Sequence, residues 1–360
     1  MKWQNNFYIA NQSALKELIA EIESLKLCAI DTEFTRIKTY YPILSTIQVA
    51  IKNGEKKQRF LIDCLAKDLD LSEFSQIILN EKIIKILHCG IQDLQIFHQL
   101  SGAFPKNIFD TQVMANFCGF TSNIGYSNLV EKIFNVKIDK QEQRSNWQIR
   151  PLTENQIKYA LLDVEFLHEI YQQFSLIIKR NNRQNWLLEE MQAFLKNALF
   201  KSPEFLLKNF SLHTKSNLQI SHLKKLVLWR EELAKKQDVI RQYFLKDEDL
   251  EEIILNGFYM KKYRKLTVEM QKEINEILQE DSLDIDFYIP ENRLNFKAEE
   301  KFSRVKNLIE TIAKKEDFSP QFLMTNLEIK KIISDEKYFD KVVYGWKNQL
   351  FGKELKQLIY

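Results

Sequence analysis

At 360 residues the chain exceeds what one hydrophobic core usually serves, so two or three domains are expected. Its 45% hydrophobic and 28% charged residues are the balance of a soluble globular protein, and no apolar run approaches the ~18 residues of a membrane helix. A net charge of +3 is too small to announce a nucleic-acid partner by itself.

Residues 1–6 lack the apolar core of a signal peptide, which points to the cytoplasm. Leu15, Leu18, Ile19 and Ile22 share one side of a helix over 11–24. The apolar run from Leu25 to Ile30, interrupted only by Lys26, reads as a buried strand leading to Asp31-Thr32-Glu33-Phe34. A polar connection from Thr35 to Pro42 follows, with Arg36, Lys38, Tyr40 and Tyr41. Leu44 to Ile51 and Arg59 to Asp63 read as two further strands, and their short connections predict an antiparallel meander. Beyond them helix and strand alternate: helix at Leu71–Leu79, strand at Ile83–Leu87, then a helix carrying Leu94, Phe97 and Leu100. Asp110–Phe117 and Ser127–Phe134 are short helices. Pro151-Leu152-Thr153 opens one long helix, with Thr153 and Gln156 as a capping box and Leu162, Phe166, Ile170 and Phe174 on its apolar face. These elements predict a mixed sheet flanked by helices.

Residues 179–213 read as a connection with some helix, from Trp186 to Ala198. The chain is then purely helical, with a second linker at 281–300 that contains Pro290. In the last part Phe302, Val305, Ile309 and Ile312 form one stripe, Ser319-Pro320 starts a helix, and Val343, Trp346 and Leu350 face one way. The scarcity of Gly (8) and Pro (6) favours helix here. Residues 1–178 hold 19 Lys and Arg against 20 Asp and Glu, whereas 196–241 hold 10 against 4. That local excess suits either a phosphate backbone or a solvated helix surface. Cys28, Cys64, Cys89 and Cys118 form no C-x-x-C pair and are expected to be buried, reduced thiols.

The candidate chemistry lies in the acids. Asp31 and Glu33, two apart on a strand, point to the same face. Anions side by side at the end of a buried strand are tolerated when a cation sits between them, and Mg²⁺ or Mn²⁺ suits oxygen ligands. Asp93 follows a strand end in the first turn of a helix, where the helix dipole favours an acid. Tyr159 and Asp163, four apart, share a helix face inside an apolar context. Each feature alone is more often structural than functional, but the ordered set is hard to obtain by chance.

The set resembles a known family. Asp31-Thr32-Glu33-Phe34, His88-x-x-x-x-Asp93 and Tyr159-x-x-x-Asp163 resemble the three exonuclease motifs of the DEDD superfamily, in its tyrosine branch. Thr39-Tyr40-Tyr41-Pro42 with Ile47-Gln48, Phe109-Asp110-Thr111-Gln112 and Arg150-Pro151-Leu152-Thr153 resemble the bacterial ribonuclease D family. Trp229-Arg230-Glu231-Glu232-Leu233-Ala234 looks like the opening of that family's HRDC helical domain, and Phe318-Ser319-Pro320 and Gly345-Trp346 resemble its second helical domain. One departure is Ser145-Asn146-Trp147, where the family often has Ser-Asp-Trp.

The resemblance implies a ribonuclease H-like α/β exonuclease domain over 1–178, a connection over 179–213, an all-α HRDC domain over 214–292 and a second HRDC-like domain over 293–360. It implies a metal-dependent 3′–5′ exoribonuclease that releases nucleoside 5′-monophosphates from structured RNA, with tRNA precursors as substrates, acting as a monomer with no membrane partner. Two Mg²⁺ or Mn²⁺ ions are expected. Asp31, Glu33 and Asp163 would hold the one that activates water, Asp31 would bridge to the second, and Asp93 would complete its shell. Tyr159 would orient the attacking water. By residue type, Arg36, Lys38, Tyr40 and Tyr41 suit contact with the RNA 3′ end, the tyrosines by stacking on bases, and a core position suits Tyr40 or Tyr41 equally. A DNA exonuclease of the same superfamily is the alternative within this chemistry, since only contacts to the 2′-OH separate the two. A silent RNA-binding scaffold is the alternative outside it, and the complete set of acids argues against that.

Overall fold

The computed structural model describes residues 7–259, 262–263, 265–289 and 295–360. The stretch 1–6 and Pro290 of the expected linker lie outside the described residues. Tyr8–Ile9 forms a short edge strand, β1, and α1 (Gln12–Leu25) leads to β2 (Leu27–Thr35). Asn11 caps α1 by accepting the Ala14 amide at 3.0 Å, and Lys26 ends it in the left-handed region. β2, β3 (Ile43–Asn53) and β4 (Lys56–Asp63) form the expected antiparallel meander. After α2 (Ser72–Leu79) come β5 (Ile84–Leu87), α3 (Ile91–Ser101) and β6 (Ile108–Asp110). The sheet order is β1-β4-β3-β2-β5-β6, with β5 parallel to β2 and β6 parallel to β5. β2 is therefore an interior strand of a mixed sheet.

Alternation along β2 assigns its neighbours. Cys28 and Ile30 pack with Leu15, Leu18 and Ile22 of α1 and with Leu94 and Phe97 of α3. Ala29 packs on the opposite face with Val164 and Leu167. By the same period of two, Asp31 and Glu33 share the face of Ala29, and Thr32 shares that of Ile30.

The remaining helices of this part are α4 (Thr111–Asn116), α5 (Tyr126–Phe134), α6 (Glu154–Asp163), α7 (Leu167–Arg180) and α8 (Gln184–Leu199). Thr153 and Gln156 make the expected capping box at the start of α6. The single long helix expected from there is two helices, interrupted at residues 164–166. No Pro or Gly lies at the break. Instead the Tyr126 hydroxyl donates to the Leu162 carbonyl at 3.0 Å and accepts the Phe166 amide at 3.1 Å. In an unbroken helix that amide and that carbonyl would bond each other, so an inserted hydroxyl accounts for the interruption.

By packing, the chain divides into two units. One comprises the chain up to Thr35, Ile43–Leu199 and Lys301–Tyr360. The other comprises Arg36–Pro42 and Phe200–Glu300. The second unit contains α9 (Pro203–Leu207), α10 (Asn217–Gln237), α11 (Asp247–Asn256) and α12 (Val268–Gln279) around Leu223, Leu226, Leu250, Ile253 and Ile274. The last elements are α13 (Phe296–Glu316), α14 (Pro320–Leu323), α15 (Asn326–Ser334), α16 (Phe339–Val342), α17 (Gly345–Lys347) and α18 (Lys353–Ile359).

The expected divisions at 179 and 293 do not coincide with this packing. Within the first unit, Val305, Ile309, Trp346 and Leu355 share one core with Phe117, Phe174, Leu187 and Met191. Trp346 stacks on Trp186 with ring centroids 5.1 Å apart and donates its indole N–H to Glu190 at 2.9 Å. Arg183 lies over the Phe318 ring and donates to the Glu316 carbonyl at 2.8 Å. Thus α8, which falls in the expected connection, joins the final helices to the α/β part. All four cysteines are free, but of the four expected to be buried only Cys28 is; Cys64 and Cys118 are half-buried and Cys89 is exposed.

Candidate active site

The acids gather at the end of β2. Asp31, Glu33, Asp93, Tyr159 and Asp163 all line one cleft of about 420 Å³. One carboxylate oxygen each from Asp31, Glu33 and Asp163 lie within 4.8 Å of one another. Asp93 lines the cleft but stands outside that trio. It comes from the first turn of α3, on the Ile30 side of β2, and accepts a hydrogen bond from the Thr32 hydroxyl. Strand alternation thus divides the acids: Asp31 and Glu33 meet Asp163 on one side, while Thr32 meets Asp93 on the other.

Burial and mutual repulsion hold these carboxyls protonated far above the usual range. Burial, then the charges of Asp93, Asp163 and Glu33, raise Asp31 well above it. Burial and the charges of Asp163 and Asp93 push Glu33 up to about 9. Burial pushes Asp163 up to about 7, against the easing effect of a hydrogen bond from Tyr159 and the charge of Lys140. Asp93 rises to about 6, chiefly from burial, with the Thr32 hydrogen bond opposing. Lys140 is the one Lys or Arg lining the cleft among the described residues.

Two like charges roughly 5 Å apart at an effective dielectric of about 20 repel by about 3 kcal/mol. Ionising the trio creates three such pairs, about 10 kcal/mol, which is comparable to the whole stability of a typical domain. A cation among them removes that cost. Mg²⁺ and Mn²⁺ bind oxygens at roughly 2.0–2.2 Å, so two ligands across one ion stand about 4 Å apart, within the span of the trio. The donor set therefore fits a hard divalent ion.

Several residues around the acids were not singled out as site residues by sequence. His88 follows β5, with one ring nitrogen on the Thr111 hydroxyl at 2.9 Å and the other on the Ile124 carbonyl at 3.0 Å, and burial lowers its pKa. Tyr126 packs against His88, with ring centroids 5.5 Å apart. Lys140 and Tyr126 carry no local pattern that marks them. Their place comes from the tertiary path of the chain. Asn146 does not line the cleft: its side-chain oxygen accepts the Gln148 amide at 3.0 Å, which needs an acceptor but no charge.

Arg36, Lys38, Tyr40 and Tyr41 belong to the helical unit, and the acids to the other. The Tyr40 hydroxyl donates to buried Glu231, and the Tyr41 amide donates to Asp238 at 2.9 Å. Arg36 and Tyr40 line a second cleft of about 480 Å³ together with Lys201, Lys208, Arg230 and Arg241. Arg230 is paired with Asp247, while Lys201 and Arg241 share Glu231.

Residues 6–179 match the family model described as 3'-5' exonuclease, and together with the mixed sheet and the acidic cleft they define an enzyme of that class. The chain is 28% identical over 366 residues to ribonuclease D of Bartonella henselae, covering 98% of this chain and 89% of that protein. It is 37% identical over 225 residues to ribonuclease D of Jannaschia sp., covering 62% of this chain and 58% of that one. It is also similar to the crystal structure of Escherichia coli RNase D, described as an exoribonuclease involved in structured RNA processing. That likeness has a TM-score of 0.78 and 25% identity, and covers 99% of this chain and 98% of that one. The chain belongs to the bacterial ribonuclease D family, and it is a hydrolytic 3′–5′ exoribonuclease of RNA processing. The divalent-metal use implied by the DEDD class agrees with the cluster Asp31, Glu33 and Asp163.

Proposed function

We propose that this exoribonuclease trims 3′ extensions from tRNA precursors and other structured RNA, as a cytoplasmic monomer using two Mg²⁺ or Mn²⁺ ions held by Asp31, Glu33, Asp93 and Asp163. The observation that carries the metal assignment is the convergence of three half-buried carboxylates within 4.8 Å. When bound, such ions supply an acidified water and neutralise charge developing on the leaving 3′ oxygen. The residues do the rest. Asp31, Glu33 and Asp163 would hold the ions in their carboxylate forms. Asp93, steadied by Thr32, approaches from the other side of the strand. Tyr159, whose own pKa is pushed up by burial and by Asp163, stays a neutral phenol and orients the attacking water rather than deprotonating it.

RNA gripping is assigned to the helical unit, whose residues 214–292 we read as an HRDC-type domain. Its second cleft supports this, because Arg36 and Lys208 have no acidic partner among the described residues. A 3′-extended tRNA incubated with Mg²⁺, with and without chelator, tests the proposal. Stepwise release of 5′-monophosphates that stops at the mature end is expected, and chelator should abolish it. An intact extension under both conditions would sink it. Arg36→Ala with Lys208→Ala should weaken binding of the same RNA and flatten its salt dependence, each lost contact to a single-stranded phosphate removing about 0.7 from the log–log slope.

A further inference from the structure

The break between α6 and α7 is made by a residue distant in sequence, and it falls immediately after a site residue. Asp163 is the last residue of α6, and its Cα lies four residues before Leu167 and seven before Ile170. In one continuous helix those three positions form a single stripe. Leu167 and Ile170 are fully buried, so an unbroken helix would aim Asp163 along an apolar face. The interruption releases Asp163 from that stripe. The Tyr126 hydroxyl sits in the gap, bonded to the Leu162 carbonyl and the Phe166 amide. The Leu162 carbonyl also accepts the Glu165 amide at 3.1 Å, and Lys57 donates to the Glu165 carbonyl at 2.6 Å, another group the break frees. Tyr126 is itself fixed, packed against a His88 ring whose two nitrogens are both bonded.

We propose that Tyr126 is a positioning residue for the reaction: its hydroxyl breaks the helix behind Asp163 and so turns that carboxylate onto Asp31 and Glu33. The inference rests on the reading that this trio holds the metal. Tyr126→Phe keeps the ring and its packing and removes only the wedge. The phenyl variant lets the Phe166 amide and the Leu162 carbonyl re-form their ordinary helical bond, which draws Asp163 back toward its stripe.

The test uses the full chain. Mn²⁺ affinity is read by electron paramagnetic resonance, kcat and KM are read on an RNA oligomer, and stability by thermal unfolding. Tyr126→Phe should weaken Mn²⁺ binding roughly tenfold, about the equivalent of one hydrogen bond, and lower kcat by a similar factor with KM within twofold. Val130→Ala is the control. It lies on the same helix and is fully buried, so it costs stability without touching the break. Val130→Ala should leave Mn²⁺ affinity unchanged. The inference is overturned if Tyr126→Phe binds Mn²⁺ within twofold of the parent, or if Val130→Ala weakens binding equally. Asp31→Asn separates the two levels. If it retains full Mn²⁺ affinity, the metal reading fails and this inference with it. If it loses Mn²⁺ while Tyr126→Phe does not, only the role of Tyr126 fails.

Discussion

Loading the site with metal should expel protons, and the number follows from the carboxyls. At pH 7 Glu33, pushed up to about 9, is protonated, and Asp31 is raised well above the usual range. Asp163, at about 7, is half protonated, while Asp93, at about 6, is mostly ionised. Metal requires the ionised forms, so binding at pH 7 should release more than one proton, about one from Glu33 and about half from Asp163 with Asp31 adding to them, and log affinity should climb by more than one per pH unit. Calorimetry of Mn²⁺ binding in buffers of different ionisation enthalpy reads that number directly. The same shifts set the stability of the metal-free protein. The folded carboxyls keep protons that the unfolded chain loses near pH 4, so unfolding releases protons and metal-free stability falls as pH rises from about 4 toward 9. Mn²⁺ should therefore raise the melting temperature more at pH 8 than at pH 6. Heats that do not depend on buffer would refute the reasoning, because they would mean that the acids were already ionised or do not meet the metal.

Other consequences can be measured with simple variants. Trp346→Ala empties an aromatic position shared by the last helices and the α/β part. It should cost about 3–5 kcal/mol in urea unfolding, with exonuclease activity lost in the same transition. If 301–360 unfolds separately and leaves the activity intact, the shared core is not cooperative. Thr153→Ala removes the cap of α6 and should cost about 1 kcal/mol, with a melting shift of a few degrees. No change would mean that α6 does not depend on that cap.

The gathering of the acids was more legible in the sequence than the structure around them. Asp31 and Glu33 were legible because a strand of period two fixes which side chains share a face. Thr153 and Gln156 were legible because a capping box is local. The interruption after Asp163 was not, because its cause, Tyr126, lies 36 residues before the Leu162 carbonyl that it binds. The hydrogen bond from Thr32 to Asp93 was hidden for a related reason: it depends on which side of β2 the helix α3 packs. β6, three residues long, is too short for any periodic signal. The docking of α13 to α18 on α8 depends on Trp346 and Arg183 contacts that no spacing predicts. Cys89 lies exposed at a turn with φ 57°, although the apolar run before it suggested burial.

The most direct test of the whole account is the hydrolysis of a 3′-extended tRNA by Asp31→Asn in saturating Mg²⁺, with RNA binding measured alongside. The variant should lose at least the ~10²–10³-fold that removal of one transition-state donor costs elsewhere, while its RNA affinity stays within a few-fold of the parent. Hydrolysis at the parent rate would contradict the assignment of the active site.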